Sequence, residues 1–387
     1  RNYMSNKDTY VVIMAGGIGS RFWPYSRSYR PKQFLDVLDT GESLIQMTNH
    51  RFKNICPQEN VYVVTNEGYV DLVKEHLPEL DHQQILAEPV GRNTAPCIAY
   101  ASYKIASKNR NANIIVTPAD HTVFKEKEFE QTVNLAVDSV RSSDKIITIG
   151  INPSRPETGY GYIQFIPDNN SPVKKVKTFT EKPELELAKK FVESGEFVWN
   201  AGIFIWNVNT IKSAFEQFLP DMAELFAPGD TQFYTDKEPE FVKNVYSQCK
   251  NISIDYGVME KARNVYVVQA DFGWSDIGSW ATLHDLKQKD GNNNVFDATI
   301  LSYDTKNCIV KGPKYKLIIV KGFEVVRRNA LLCPGVMVLN ALKDKDLVTT
   351  IIVDKQCQGE YFEEDSFFLI RTIEDEERLV ENFDAII

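Results

Sequence analysis

The sequence predicts an α/β protein with a mixed, mostly parallel sheet, followed by a small β-rich C-terminal domain. Three observations point there. Short β-branched apolar runs at 10–15, 61–64, 84–86, 114–116 and 146–149 alternate with helical patterns at 43–54, 67–77, 94–107 and 126–141. Strands and helices alternating at these lengths build βαβ units. Beyond a turn-rich junction at 290–294 the alternation stops, and short apolar stretches at 308–310, 316–320, 347–353 and 367–370 read as β, before a last helix at 374–383. The third observation is size: 387 residues, 43% hydrophobic and 25% charged, suit one large globular domain and a smaller one. The expected boundaries are 1–288 for the first domain and 289–387 for the second.

Composition narrows the function. The formal charge of −9 and a pI near 5.3 argue against a nucleic-acid binder. Six cysteines stand far apart with no CxxC among them, so neither a zinc ribbon nor a disulfide framework is indicated. They read as reduced thiols of a cytoplasmic protein. No apolar run approaches the ~18 residues of a membrane span, and the first residues do not read as a signal peptide.

The first strand, 10–15, leads into residues 16–34, GGIGSRFWPYSRSYRPKQF. Gly16, Gly17 and Gly19 allow close backbone approach to a ligand. Arg21, Arg27, Arg30 and Lys32 follow, with no acid from Gly16 to Leu35. Pro24 and Pro31 oppose a continuous helix. A cationic loop on an acidic chain suits an anionic ligand held by point charges and backbone donors. The dinucleotide fingerprint would need a glycine where Phe22 stands, and a Walker loop would need Gly-Lys-Ser/Thr. Taken alone, the glycines fit a tight strand-to-helix turn equally well.

Each later motif follows a strand, where open α/β sheets place their ligands. In Glu88–Pro96 (EPVGRNTAP), Asn93 or Thr94 could cap the next helix, or the loop amides with Arg92 and Asn93 could meet a nucleotide. Asp120, in TPADH at 117–121, is a turn residue or one carboxylate of the kind Mg²⁺ takes. His121 reads as structural or as a hydrogen-bond partner of that group. Residues 157–163 (ETGYGYI) form a bulge or hairpin, or a bare backbone beside a ring ligand. TFTEKP at 178–183 ends a strand with Glu181 and Lys182. WNAGIFIW at 199–206 is a buried strand with one polar insertion, Asn200, that needs partners. SIDYGVME at 253–260 and GWSDIGSW at 273–280 close the set, the latter with Asp276 in a compact corner.

In this order the strings resemble the sugar-1-phosphate nucleotidyltransferase family in its mannose-1-phosphate guanylyltransferase form, over roughly residues 10–286. The resemblance implies a Rossmann-like nucleotidyltransferase domain. It also implies transfer of GMP from GTP to mannose 1-phosphate, with Mg²⁺ as cofactor. By that resemblance Ala15, Gly16, Gly17, Gly19, Arg21, Lys32, Glu88, Pro89, Arg92, Asn93, Thr94 and Asp120 bind the nucleotide. Gly159, Tyr160, Glu181, Lys182 and Asn200 hold the sugar phosphate, and Asp120 and Asp276 hold the metal. The catalytic set is Arg21, Lys32, Asp120, Lys182 and Asp276. The match departs at Gly257 and Ala201, where the family often has alanine and serine.

Two rivals stand beside this expectation. One is a transferase for glucose 1-phosphate or another NTP, and the strings at 88–96 and 157–163 weigh against it. The other is a non-catalytic pyrophosphorylase-like binding subunit, which should have lost the lysine or the carboxylates. Family members often carry a short β-helical tail that packs on a partner subunit. A left-handed β-helix and a homodimer are therefore expected, although residues 329–358 do not follow the tail pattern. Some relatives carry a cupin isomerase instead, but no histidine follows His284, so a monofunctional transferase is expected.

Overall fold

The computed structural model describes residues 7–22, 25–303 and 305–311, and the backbone of 317–321, 336–337, 349–351 and 367–369. The chain divides into two compact units, Arg1–Ile18 with Arg27–Asp276, and Gly19–Ser26 with Ile277–Ile387.

The first unit holds strands β1 (Thr9–Met14), β2 (Val61–Asn66), β3 (Ile85–Glu88), β4 (Asn113–Pro118), β5 (Thr122–Val123), β6 (Ile146–Ile151), β7 (Tyr162–Phe165), β8 (Val173–Thr180), β9 (Phe197–Asn207), β10 (Val265–Ala270) and β11 (Trp274–Ser275). Its helices are α1 (Leu44–Arg51), α2 (Val70–His76), α3 (Thr94–Lys108), α4 (Glu126–Val140), α5 (Leu185–Ser194), α6 (Val208–Phe218), α7 (Pro220–Phe226) and α8 (Glu238–Gln248). Nine strands form one sheet in the order β3-β2-β1-β4-β9-β6-β10-β8-β7. The strands β3, β2, β1 and β4 run parallel, as do β6 and β10. The long β9 enters antiparallel between β4 and β6, and β7 and β8 pair antiparallel at the edge. The sheet is therefore mixed, and its parallel character is confined to β1–β4 and the β6–β10 pair.

Both faces of the sheet are covered, which is why its central strands read as unbroken apolar runs rather than alternating ones. Tyr10 and Val12 of β1 join the core beneath α3 and α6–α8. Val11 and Ile13 join the core with α1, α2 and α4. The expected helices appear with small changes at their ends. Ser43 caps α1 through a capping box with Gln46. Gln84 closes a 3-10 turn before β3 instead of opening the strand.

In the second unit, a 3-10 turn at Ser20–Phe22 places Phe22 against Trp280 of α9 (Trp280–Leu286), with ring centroids 5.1 Å apart. Short strands β12 (Val295–Asp297), β13 (Thr299–Tyr303), β14 (Ile309–Lys311), β15 (Leu317–Lys321), β16 (Val336–Met337), β17 (Thr349–Ile351) and β18 (Phe367–Leu369) follow. They pair parallel as β12–β14–β16, β13–β15 and β17–β18. Asn294 is buried; its amide donates to Thr305 O at 2.9 Å and accepts from Cys308 N at 3.1 Å, joining successive stretches. Among the described residues of this region, the short strands pair parallel. The expected helix at 374–383 lies outside the described residues, as does most of 329–358.

Candidate functional site

The glycine loop leaves the carboxyl end of β1 with its backbone fixed from behind. Ala15 N donates to Val64 O at 2.8 Å. Ala15 O accepts from Thr65 Oγ1 and Gln33 Nε2, both at 2.9 Å. The same Gln33 amide reaches Gly17 O at 2.9 Å. Gln33 is buried while residues 16–18 are exposed, so a side chain from the end of the loop holds its beginning. Gly16 lies against Glu88: a Cβ there would come within 3.1 Å of Glu88 Oε2.

Two aspartates distant in sequence meet near one ammonium. Asp120 follows β4, and Asp276 follows β11. The two-residue pairing of β11 with β5 brings the segments together, supported by the Thr122 hydroxyl donating to Ser275 O. Lys32 Nζ donates to Asp120 Oδ2 at 3.0 Å and to Asp276 O at 2.5 Å. Lys32 is buried, whereas the Asp120 side chain is one third exposed. Burial opposes ionisation of Asp120, but Lys32 and His121 outweigh it and hold the carboxyl below its ordinary range. His121 is pushed down by its own burial. Trp274 Nε1 donates to His121 Nδ1 at 3.3 Å, which leaves the ring proton on Nε2, 3.8 Å from Asp120 Oδ1. Tyr160 donates its hydroxyl to Asp276 Oδ1 at 2.7 Å, with its ring edge-on to Trp199 and Trp274.

A third group lies where β7, β8 and β9 converge. Asn200 N donates to Gly161 O at 2.8 Å. Glu181, at the end of β8, pairs with Lys182 at 3.1 Å. Lys182 has φ +43°, a conformation unusual outside glycine, and its side chain is exposed. A Cβ on Gly161 would come within 2.5 Å of Glu181 Oε2, so the absent side chain is what admits the glutamate. Gly159 instead forms an exposed turn, its N–H donating to Glu157 Oε1 at 3.0 Å.

The 88–96 loop is stitched to 252–254. Asn93 caps α3 by accepting from Thr94 N, at φ +68°. Ile252 N donates to Arg92 O, Ala95 N to Ile252 O, and Ile254 N to Thr94 Oγ1. Arg92 Nε donates to Tyr246 O at 3.3 Å. Glu88 is buried and pushed up to about 7 by that burial, although the Tyr246 hydroxyl, donating at 2.9 Å, favours its ionised form.

The structure thus brings Lys32, Asp120 and Asp276 into one network, with Tyr160 attached to Asp276 rather than free. It groups Ala15, Gly16, Gly17 and Glu88 at the end of β1, and Glu181, Lys182 and Asn200 beside Gly161. Gly19 and Arg21 belong to the second unit, where Arg21 is exposed on its 3-10 turn. Sequence reading missed Gln33, although it lies inside the quoted loop, and also Asp255 and the Trp274–His121 pair; it read Gly159 and Gly161 together as bare backbone but assigned only Gly159 to the sugar. The signal for Asp255 was the SIDYGVME string. A cleft of about 1020 Å³ lined by Asp144, Lys175, Lys261 and Arg263 shares none of these residues. It opens at the amino ends of β6 and β10, opposite the motifs. Among the described residues no cluster of three or more His, Cys, Asp or Glu side chains is arranged to hold a metal. No helix among them is long and apolar enough to cross a membrane.

Comparison with known proteins shows the family. The family described as Nucleotidyl transferase matches residues 10–293. A mannose-1-phosphate guanylyltransferase of Salmonella montevideo is 39% identical over 308 residues, 77% of this chain and 64% of the relative. The alginate biosynthesis protein AlgA of Pseudomonas aeruginosa is 37% identical over 319 residues, 81% of this chain and 65% of the relative. A mannose-1-phosphate guanylyltransferase of Escherichia coli is 34% identical over 358 residues, 90% of this chain and 74% of the relative. The chain spans less than two thirds of the length of the first two. Among solved structures, one described as mannose-1-phosphate geranyltransferase from Thermus thermophilus has a TM-score of 0.73 at 30% identity, over 83% of this chain and 93% of that one.

Proposed function

The chain belongs to the nucleotidyl transferase family, and from that premise we propose that it transfers GMP from GTP to mannose 1-phosphate, releasing pyrophosphate. The observation that carries the reading is the convergence of Lys32, Asp120 and Asp276 at one point beyond the sheet's carboxyl edge. Its choice of nucleotide and sugar rests on the guanylyltransferase relatives and on the strings at 88–96 and 157–163.

In this reaction a phosphate oxygen of mannose 1-phosphate attacks the α-phosphorus of GTP. The bond from that phosphorus to the β-phosphate bridging oxygen breaks, and pyrophosphate departs. The attacking oxygen is already anionic near neutral pH, since a phosphate monoester's second pKa is about 6, so no general base is needed. The protein's work is placement and neutralisation of charge. Amides of Gly16 and Gly17 and the Lys32 ammonium face the nucleotide phosphates, while Ala15, whose N–H is held by Val64 O, sets the start of the loop. Lys182 holds the sugar phosphate, and Glu88, Pro89, Arg92, Asn93 and Thr94 form the nucleoside side. Gly19 and Arg21 are further phosphate donors on the strength of the loop sequence. Glu181 and Asn200 line the sugar side beside Gly161, the Gly159 turn stands at its edge, and Tyr160 fixes Asp276.

The Asp120 and Asp276 carboxylates are hard oxygen donors of the kind Mg²⁺ takes, with the His121 imidazole beside Asp120 held by Trp274. Asp120 and Asp276 would hold the ion, and when bound it supplies charge stabilisation on the reacting phosphates. We extend the proposal to a cytoplasmic enzyme whose residues 289–387 form a left-handed β-helix used in a homodimer. The parallel pairing of its short strands supports that tail.

The test is steady-state turnover of variants against wild type with added Mg²⁺. Asp120→Asn and Asp276→Asn should each nearly abolish turnover with the fold retained. Lys32→Ala should cost roughly 2–4 kcal/mol of transition-state stabilisation, the scale of one preorganised charged donor. EDTA should silence the wild type. Wild-type rates in either aspartate variant would remove that residue from the site.

A further inference from the structure

We propose that Asp255 is a specificity-determining residue of the sugar subsite: its carboxylate accepts hydroxyl hydrogen bonds from the hexose ring, and Asn200 acts by holding that carboxylate. This rests on the sugar-phosphate reading above and reassigns the polar contact within it. Asn200 is the residue that sequence reading places on the sugar, yet its amide is largely committed. Its Oδ1 accepts from Gly202 N at 3.1 Å and Thr148 Oγ1 at 3.3 Å, the full complement of an amide carbonyl. Its Nδ2 donates to Asp255 Oδ1 at 2.9 Å. What remains able to accept is the carboxylate beyond it. A carboxylate offers about four acceptor positions, and Asn200 is the one side-chain donor to Asp255 among the described residues.

The placement is well fixed. Asp255 opens the π-helical turn Asp255–Met259, and such turns recur at functional positions. The residue before it, Ile254, donates its N–H to Thr94 Oγ1 at 2.9 Å, which ties the turn to the nucleotide-side loop. Asp255 remains partly exposed, as do Asn200 and Glu181. Gly161 completes the shape: a Cβ there would meet Glu181 Oε2 at 2.5 Å and Asn200 Cβ at 3.5 Å. Bare backbone beside Glu181, with Asp255 joined to it through Asn200, is the complement of a ring whose rim carries hydroxyl donors. Burial and the neighbouring Glu181 and Glu260 charges push the Asp255 carboxyl up to about 6. A carboxylate kept at that cost suits a group kept for a ligand.

The experiment measures KM for each substrate in full-length wild type, Asp255→Asn, Asp255→Ser, Asn200→Ala and Asp255→Asn/Asn200→Ala, below each protein's melting temperature. KM does not depend on the folded fraction, so a destabilised variant still reports. Asp255→Asn should raise KM for mannose 1-phosphate at least tenfold and leave KM for GTP within twofold. It should also narrow the preference for mannose over glucose 1-phosphate at least fivefold, and Asp255→Ser should do the same. Asn200→Ala should weaken sugar binding alone but add less than twofold to Asp255→Asn. Unchanged sugar KM and selectivity, or an equal rise for both substrates, overturns the assignment of Asp255. An independent, multiplicative loss in the double variant overturns the holding role of Asn200. If wild type uses a different hexose 1-phosphate, the mannose reading falls, and the same KM split on that sugar still decides Asp255.

Discussion

Glu88 shows how one residue's surroundings set a measurable pH dependence. Burial lifts its carboxyl from an ordinary 4.5 to about 7, so between those values the folded chain keeps a proton that the unfolded chain releases. Folding stability therefore falls as pH rises through that window, by about 3 kcal/mol in total. Glu88→Gln keeps the Tyr246 hydrogen bond and removes the titration. Urea midpoints at pH 5 and pH 8 should differ less in this variant than in wild type; identical differences would place the wild-type slope elsewhere. At this scale the sequence was legible where a residue's role is chemical. Asp120, Asp276 and Lys32 were singled out in their strings, and the Lys32 ammonium reaches the Asp120 carboxylate and the Asp276 main-chain carbonyl. It was opaque where a role depends on who takes which hydrogen bond. Asn200 read as a polar residue in an apolar strand that needs partners, and as a ligand contact only by resemblance, but nothing in the string says that Asp255, 55 positions on, is one of those partners. Tyr160, expected at the sugar phosphate, donates to Asp276.

Among the elements, α3 and α8 are joined by a buried ion pair outside the candidate site. Lys104 Nζ lies 2.7 Å from Glu238 Oε1, and Tyr100 donates to the same oxygen at 2.6 Å. Both charged groups are buried. Lys104→Met should therefore cost about 3–5 kcal/mol by leaving Glu238 uncompensated, and Glu238→Gln in the same chain should recover much of it. Thermal melts of both variants measure this, and a single variant as stable as wild type would contradict it. The central strands were legible because a strand buried on both faces is a plain apolar run. Direction was not legible, because such a run looks the same parallel or antiparallel, and so β9 could not be placed between β4 and β6. The helices α6–α8 went unnamed after the alternation faded. The β5–β11 pairing is two residues long, too short to leave a pattern, yet it unites the aspartates.

For the whole molecule, the apolar stretches after residue 290 need a surface to cover them. Val310 is buried as expected; Ile318, Ile319 and the acids Glu360, Glu363, Glu364, Glu374, Asp375, Glu376 and Glu377 lie outside the described side chains. The account holds that this tail builds an isologous homodimer. Light scattering should give a dimer for the whole chain and a monomer for one ending near Asp290; a monomeric whole chain, or a dimeric shortened one, would refute it. A change of rhythm after 290 is visible in the sequence, whereas the two compact units divide after Asp276. The inclusion of residues 19–26 in the second unit was not legible, because an excursion of one loop leaves no compositional mark. The central claim concerns the reaction. Pyrophosphate release measured for ATP, CTP, GTP and UTP, each with mannose, glucose and fucose 1-phosphates, tests it most directly. The account predicts the highest kcat/KM for GTP with mannose 1-phosphate, and a higher value for another pair, or no release from any, would contradict it.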